Sequence, residues 1–266
     1  MELKELVNKL CLQQEVIDKI LPLVEANKKE YEVYSEGLLS KDMAENTYQT
    51  LSEKYKEDTK NFHILAIYLL TCLRVYDLYV LKGIEEKIFI DTMKCFSRFI
   101  QECKVKTNEY YFDRTWWTYR QTSMVEFRIG ELEYELDYNA KCINIHVPSD
   151  AILSTEKIKE SIDKAKSFFD KHYKDFSGCD FVISSWLLSP RLKKHLSSNS
   201  NILKFQEFFE IISFNEEDNS VLEWVFKINS IDDYNKLKED TSLQRSIKKD
   251  LINGYKIGSA YAKLKI

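Results

Sequence analysis

The chain predicts an α+β protein with a helical N-terminal half and a mixed-sheet C-terminal half. Two observations carry that expectation. Up to about residue 105 the apolar residues recur at helical spacing, and from about residue 115 they alternate or fall into short β-rich runs. Between them the polar stretch Lys104–Glu109 reads as a boundary. The expected domains are therefore residues 1–108, helical, and 109–266, sheet-containing. With 44% hydrophobic and 13% aromatic residues, the chain has ample material for packed cores.

Leu3, Leu6, Val7 and Leu10 sit at i, i+3, i+4 and i+7, the signature of a first helix. Pro22 and the polar stretch from Glu25 to Glu32 are expected to break the pattern. A further helix is expected over 38–55, with Ser40 or Asp42 as its cap. Residues 61–81 are apolar on most faces, so this helix should be central, and Gly83 should stop it. Its His63, Arg74 and Asp77 argue for a buried helix and against a membrane span. Residues 84–103 read as one more helix, with Phe89, Phe96, Phe99 and Ile100 along one side.

Beyond residue 110 a first strand is expected near 115, then alternation over 124–136 whose phase slips at Gly130. A glycine at a phase slip suggests a bulge or sharp bend. Residues 137–141 read as a hairpin turn, and Cys142–Val147 as the return strand, stopped by Pro148. Ser154–Lys171 is an amphipathic helix, with Ile158, Ile162, Ala165 and Phe169 inward. A strand is expected over 181–187, a short helix over 191–196, a helix over 201–209 and a strand near 211–214. Val221–Ile228 is expected to pair with that strand, followed by a helix over 243–255 and a final strand over 259–266.

Charge and cysteine usage exclude some classes. A net charge of -4 argues against a nucleic-acid partner, whose binding surfaces are basic. None of the six cysteines forms a C-x-x-C pair, and no His/Asp/Glu set has metal-ligand spacing. Free thiols and an N-terminus without a basic-then-apolar leader suggest the cytoplasm. Lysine outnumbers arginine 32 to 7, as in a low-GC bacterial genome. No feature fixes an oligomeric state.

Several residues offer chemistry. His146 ends a strand on the face shared with Asn144, and its ordinary pKa suits a general base. Glu131, Glu133 and Glu135 recur at spacing two. They form either a solvated face or, through one member such as Glu133, a base or a grip on a cationic substrate. Trp116 and Trp117 line a pocket or belong to the core. Arg114 and Arg120 clamp an anion or pair with Asp113 and Glu126, while Arg128 pairs with a glutamate.

The series Phe112–Gln121, Phe127–Glu135, Ile143–Pro148, Ser185–Pro190 and Ser200–Phe205 resembles a family of bacterial acyltransferase-domain proteins. These combine a helical N-terminal domain with a GNAT-like C-terminal domain. The resemblance is close over 110–266 and loose over 1–105. It implies a GNAT-like sheet, acyl-CoA (acetyl-CoA) as donor, and an unidentified amine or alcohol as acceptor. It implies that the strands over 142–147 and 181–187 splay apart around the thioester. Backbone amides at Ser154 and Thr155 would then meet the diphosphate, and Ser185, Trp186 and Ser189 would face the pantetheine arm. The base would be His146 or Glu133, with Trp116, Trp117, Arg120 and Arg128 as substrate-binding candidates. Asn201 matches a family motif or serves as a helix cap. The turn over 148–155 departs from the family's glycine-rich phosphate loop and carries Asp150, with Glu156 just beyond. That departure leaves a rival: a non-catalytic ligand- or protein-binding module on the same fold. A purely structural helical partner protein is a third reading, and it leaves the aromatic-arginine motif unused.

Overall fold

The computed structural model describes residues 1–265. The final residue of the expected last strand, Ile266, lies outside the described residues. Two compact units are present: residues 1–129 with 133–135, and residues 130–132 with 136 onward. The division thus falls within the hairpin around Gly130, beyond the 108/109 boundary.

The first unit holds seven helices: α1 (Leu3–Lys9), α2 (Gln14–Leu39), α3 (Ala44–Lys54), α4 (Phe62–Leu81), α5 (Glu86–Met93), α6 (Cys95–Thr107) and α7 (Thr115–Thr122). It also holds strand β1 (Glu126–Ile129) and the middle of β2 (Leu132–Asp137). As expected, α4 is central. Every residue from Ile64 to Cys72 is buried, with Val75 and Tyr79 beyond them, and α2 packs along it. The helix is long and apolar enough to cross a membrane, yet its apolar surface is spent on this core. Tyr68 donates to the Thr115 carbonyl at 2.9 Å, and its ring meets Phe96 and Phe112. That bond satisfies a buried hydroxyl and ties α7 to the core.

The structure corrects four expectations here. Pro22 and the polar stretch after it lie inside the 26-residue α2. Proline costs the helix one N–H bond, but Val16, Ile17, Ile20, Val24, Tyr31 and Leu38 keep one face buried, and that burial outweighs the loss. The helix expected from residue 38 begins at Ala44, after Met43, and neither Ser40 nor Asp42 caps it. The helix expected over 84–103 is two helices that divide at Lys94. The strand expected near 115 is α7, whose buried residues are Thr115, Thr118, Gln121 and Thr122. Gly83 does follow α4, at φ +64°, as expected of a helix stop.

The second unit contains the ends of β2, then β3 (Cys142–His146), α8 (Thr155–His172), β4 (Phe181–Ser185), α9 (Asn201–Gln206), β5 (Phe209–Asn215), α10 (Ser220–Phe226), α11 (Ser242–Ile252) and β6 (Ser259–Leu264). The six strands form one mixed sheet in the order β1-β2-β3-β4-β6-β5. The phase slip at Gly130 is a tight turn between two strands, β1 and β2. Gly130 has φ +67°, and a Cβ there would meet Ser161 Cβ at 3.0 Å and its Cα at 3.1 Å. The turn after β2 is closed by Asp137, whose carboxylate accepts from the Asn139 and Ala140 amides.

α8 is the crossover that a parallel β3–β4 pair requires. Ile158, Ile162, Ala165 and Phe169 are buried on it as read from the sequence, and Phe169 meets Phe181 of β4 edge-on. Between β4 and β6 the chain rejoins the sheet only at β5; the segments 186–208 and 216–257 on either side of it form an excursion beyond the sheet. This excursion builds its own apolar cluster from Leu192, Val221, Leu222, Phe226, Leu237, Ile247, Leu251 and Ile257. The segment expected as a strand over 221–228 is therefore a helix, since Val221, Leu222, Val225 and Phe226 form a helical stripe that the cluster buries. The true partner of β5 is β6, antiparallel, with a bulge at Ile212. All six thiols are free, and Cys72, Cys95, Cys103 and Cys142 are buried. Burial pushes the Cys103 thiol up to about 12.

Candidate active site

Within the second unit, β3 and β4 pair over only two positions, Ile143 with Phe181 and Asn144 with Val182. Beyond Asn144 and Val182 neither strand pairs with the other, although β3 runs on to His146 and β4 to Ser185. The parallel pair therefore opens toward its C-terminal ends. Such a gap exposes backbone groups that a regular sheet would consume, and a ligand can bond to them.

The two faces of this sheet differ toward the C-terminal ends of β3 and β4, although Val182, level with Asn144, is buried on the second face. Ile143, Ile145, Ile183, Ala260 and Ala262 are buried on the α8 side. Asn144 and His146 lie on the other face, as the alternation predicted, and both are half-buried. Ser184 and Tyr261 share that face, and Tyr261 is 40% exposed.

α8 starts beside Ser154, which occupies the N-cap position with extended backbone but makes no side-chain cap bond; Thr155 is the first helical residue. The N-terminal amides of this 18-residue helix thus receive no bond from the N-cap side chain. Nearby, Glu131 accepts from the Ile152 amide at 2.9 Å and pairs with Lys157 at 3.0 Å. The turn is therefore already partly satisfied by a carboxylate.

The residues expected on the pantetheine arm prove different from one another. Ser185 is half-buried, and its hydroxyl accepts from the Leu187 amide, starting the 3-10 turn Trp186–Leu188. Trp186 is half-buried against the apolar cluster of the excursion. Ser189 is fully buried. It donates to the Ile257 carbonyl at 2.6 Å and accepts from the Arg191 amide. Its hydroxyl closes the excursion and leaves no surface for a cofactor. Asn201 is the exposed first residue of α9, whose cap is Ser200, accepting from the Ile202 amide.

The aromatic-arginine motif lies in the first unit. Trp116 is 48% exposed and meets the Trp117 ring edge-on. Arg120 stacks over Trp117 at 4.3 Å and donates to Glu135 at 2.8 Å. Its partner is thus Glu135, where the sequence suggested Glu126. Glu126 is fully buried and accepts from the Trp117 indole at 3.3 Å and from Gln121 at 2.8 Å.

Glu133 is only 5% exposed and pairs with Arg98 at 2.7 Å, with Arg128 at 3.9 Å. The expected solvated row is corrected: Glu133 and Glu135 are bound by guanidinium groups, and Glu131 belongs to the turn before β2. Arg128 is likewise buried and committed to Glu133, so the structure gives it a packing part. Sequence reading named Glu126 but gave it the wrong partner, and it missed Ser184 and Tyr261. Nothing in one dimension marks Ser184 or Tyr261.

Comparisons with known proteins agree with this architecture. A family model described as a GNAT-like C-terminal domain matches residues 91–264, and one described as an N-acyltransferase N-terminal domain matches residues 1–124. A crystal structure of an acyltransferase in complex with decanoyl-CoA and teicoplanin is similar at TM-score 0.81 and 20% identity, covering 99% of this chain and 88% of that one. An acyltransferase in complex with CoA and 10C-teicoplanin is similar at TM-score 0.82 and 19% identity, covering 99% and 87%. A third, in complex with decanoyl-CoA, gives 0.72 and 17%, covering 100% of both chains. At these identities the likeness establishes the fold. No curated protein matches by sequence.

Proposed function

Since the chain belongs to the N-acyltransferase family with a GNAT-like C-terminal domain, we propose that it moves an acyl group from acyl-CoA to an amine or alcohol in the opening between β3 and β4. The observation that carries this reading is the parallel pair that parts after Asn144 and Val182. The thioester of the substrate would lie in that gap, its carbonyl oxygen accepting from a freed backbone amide. The uncapped start of α8 suits the diphosphate. The acceptor nitrogen or oxygen attacks the thioester carbon, the C–S bond breaks, and CoA leaves as the thiolate, which then takes up the proton lost by the nucleophile. His146, half-buried on the open face, takes the proton from the attacking group. Similar proteins hold decanoyl- and octanoyl-CoA, so acetyl-CoA is one member of the donor class and the chain length is open to test.

One observation favours a rival. Asp150 and Glu156 flank the start of α8, and Glu131 already occupies the Ile152 amide. Negative charge there opposes a diphosphate, and a non-catalytic module on the same fold would tolerate it.

Calorimetry and thermal denaturation with CoA, acetyl-CoA, octanoyl-CoA and decanoyl-CoA decide between them. A ligand at about a hundredfold excess over its Kd stabilises by roughly 2.7 kcal/mol. Thr155→Pro should weaken binding without unfolding α8. Proline is tolerated at the first helical position, and Ser154 already has the extended backbone that proline requires of its predecessor. Absence of heat and of any thermal shift at millimolar CoA defeats the acyltransferase reading.

A further inference from the structure

Strands β4 and β6 are interior strands: β4 lies between β3 and β6, and β6 between β4 and β5. Interior strands of a mixed sheet normally have both faces covered or one face solvated in full. Here one face is closed, with Ile183, Ala260 and Ala262 at most 2% exposed. The other carries two exposed hydroxyls, Ser184 and Tyr261, directly opposite one another in register. Tyr261 is paired in turn with the exposed Ser213 of β5. On the other side, Asn144 is level with Val182, so His146, two residues further on, is level with Ser184 across the opening. The fold therefore lays a row, His146–Ser184–Tyr261–Ser213, across one open face at the mouth of the splayed pair. Adjacent members of paired strands are about 4.8 Å apart.

We propose that Ser184 and Tyr261 line the acceptor side of the acyl-transfer site and position the nucleophile beside the thioester carbon. This rests on the acyl-CoA reading above. Both hydroxyls donate and accept hydrogen bonds, and neither is charged. Lys263, the cation that β4, β5 and β6 place on this face, is one row away and paired with Asp180 at 2.7 Å. The row thus suits an acceptor with uncharged hydrogen-bonding groups next to its nucleophile. Because the face is open, that acceptor need not be small.

Bromoacetyl-CoA, which alkylates a thiol near the thioester position, tests this. Ser184→Cys, Tyr261→Cys and Ser213→Cys are made where Cys11 and Cys179, the two cysteines not fully buried, are already serine. Alkylation is read by intact mass, with CoA binding of each variant measured by calorimetry. The expected result is that Ser184→Cys and Tyr261→Cys react roughly tenfold or more faster than Ser213→Cys, through the raised local concentration of bound reagent. Saturating CoA should remove that advantage. If CoA binds but all three variants react equally and CoA gives no protection, the lining role is wrong while the acyl-CoA reading stands. If calorimetry shows no CoA binding to any variant or to the parent chain, both fall together.

Discussion

Replacing Gly130 with alanine should destabilise the protein by two separable effects. The first is conformational: φ is +67°, and a left-handed backbone costs an L-residue about 1–2 kcal/mol. The second is steric. The new Cβ would stand 3.0 Å from Ser161 Cβ and 3.1 Å from Ser161 Cα, and overpacking of a fixed element costs about 1–3 kcal/mol. Ser161 cannot simply swing away, because its hydroxyl accepts from the Leu132 amide and its Cα belongs to the long helix α8. Together these give a loss of about 2–5 kcal/mol, or a Tm fall of about 2–4 °C per kcal/mol. Gly178 supplies the control. Its φ is +72°, but nothing lies within 4 Å of its added Cβ, so Gly178→Ala should show the conformational cost alone. Urea titration and scanning calorimetry on both variants read the difference. Equal losses for the two, within about 0.5 kcal/mol, would refute the claim that the turn before β2 is seated against α8 by contact.

Two further outcomes follow from described contacts. Ser189→Ala should cost about 1–3 kcal/mol by leaving the Ile257 carbonyl and Arg191 amide without their partner, with CoA affinity unchanged; a selective loss of CoA binding would restore Ser189 to the cofactor site. His195 is wedged between Ser246, 2.7 Å from its Nδ1, and Asp250, 3.0 Å from its Nε2, beside Lys194. Burial lowers its pKa below the ordinary value of 6.5, against an opposing pull from Asp250. The folded state therefore binds the proton less readily than the unfolded one. Its contribution is complete above the unfolded pKa and is lost as pH falls from there toward the folded value. Tm should drop more steeply between about pH 7 and about pH 5 in the parent than in His195→Gln; identical slopes would dismiss the effect.

The helical first half was legible wherever one apolar face was continuous, as in α1 and α4. α2 was not, because proline and a charged outer surface mask a helix whose inner face alone is buried. α7 escaped for the opposite reason. Its inward residues are threonines and a glutamine, while Trp116 is half-exposed, so the usual marker of burial pointed outward. At the site, the β3 alternation placed His146 on the polar face, and the structure agrees. Ser184 and Tyr261 were invisible because exposure is unremarkable in a sequence. It became informative only when the strand order put both on interior strands.

That strand order also bears on how the protein is made. β6 separates β4 from β5, yet it follows both in the chain. While synthesis proceeds from one end, β4 and β5 must wait with unpaired edges until β6 emerges to fill the place between them. β5 meanwhile shows Ile211 and Ile212 to solvent, and an unpaired apolar edge is a template for pairing with other chains. A chain halted before Ser259 would therefore threaten its neighbours more than one halted inside the 186–208 segment ahead of β5, for only the former exposes both orphaned strands at once.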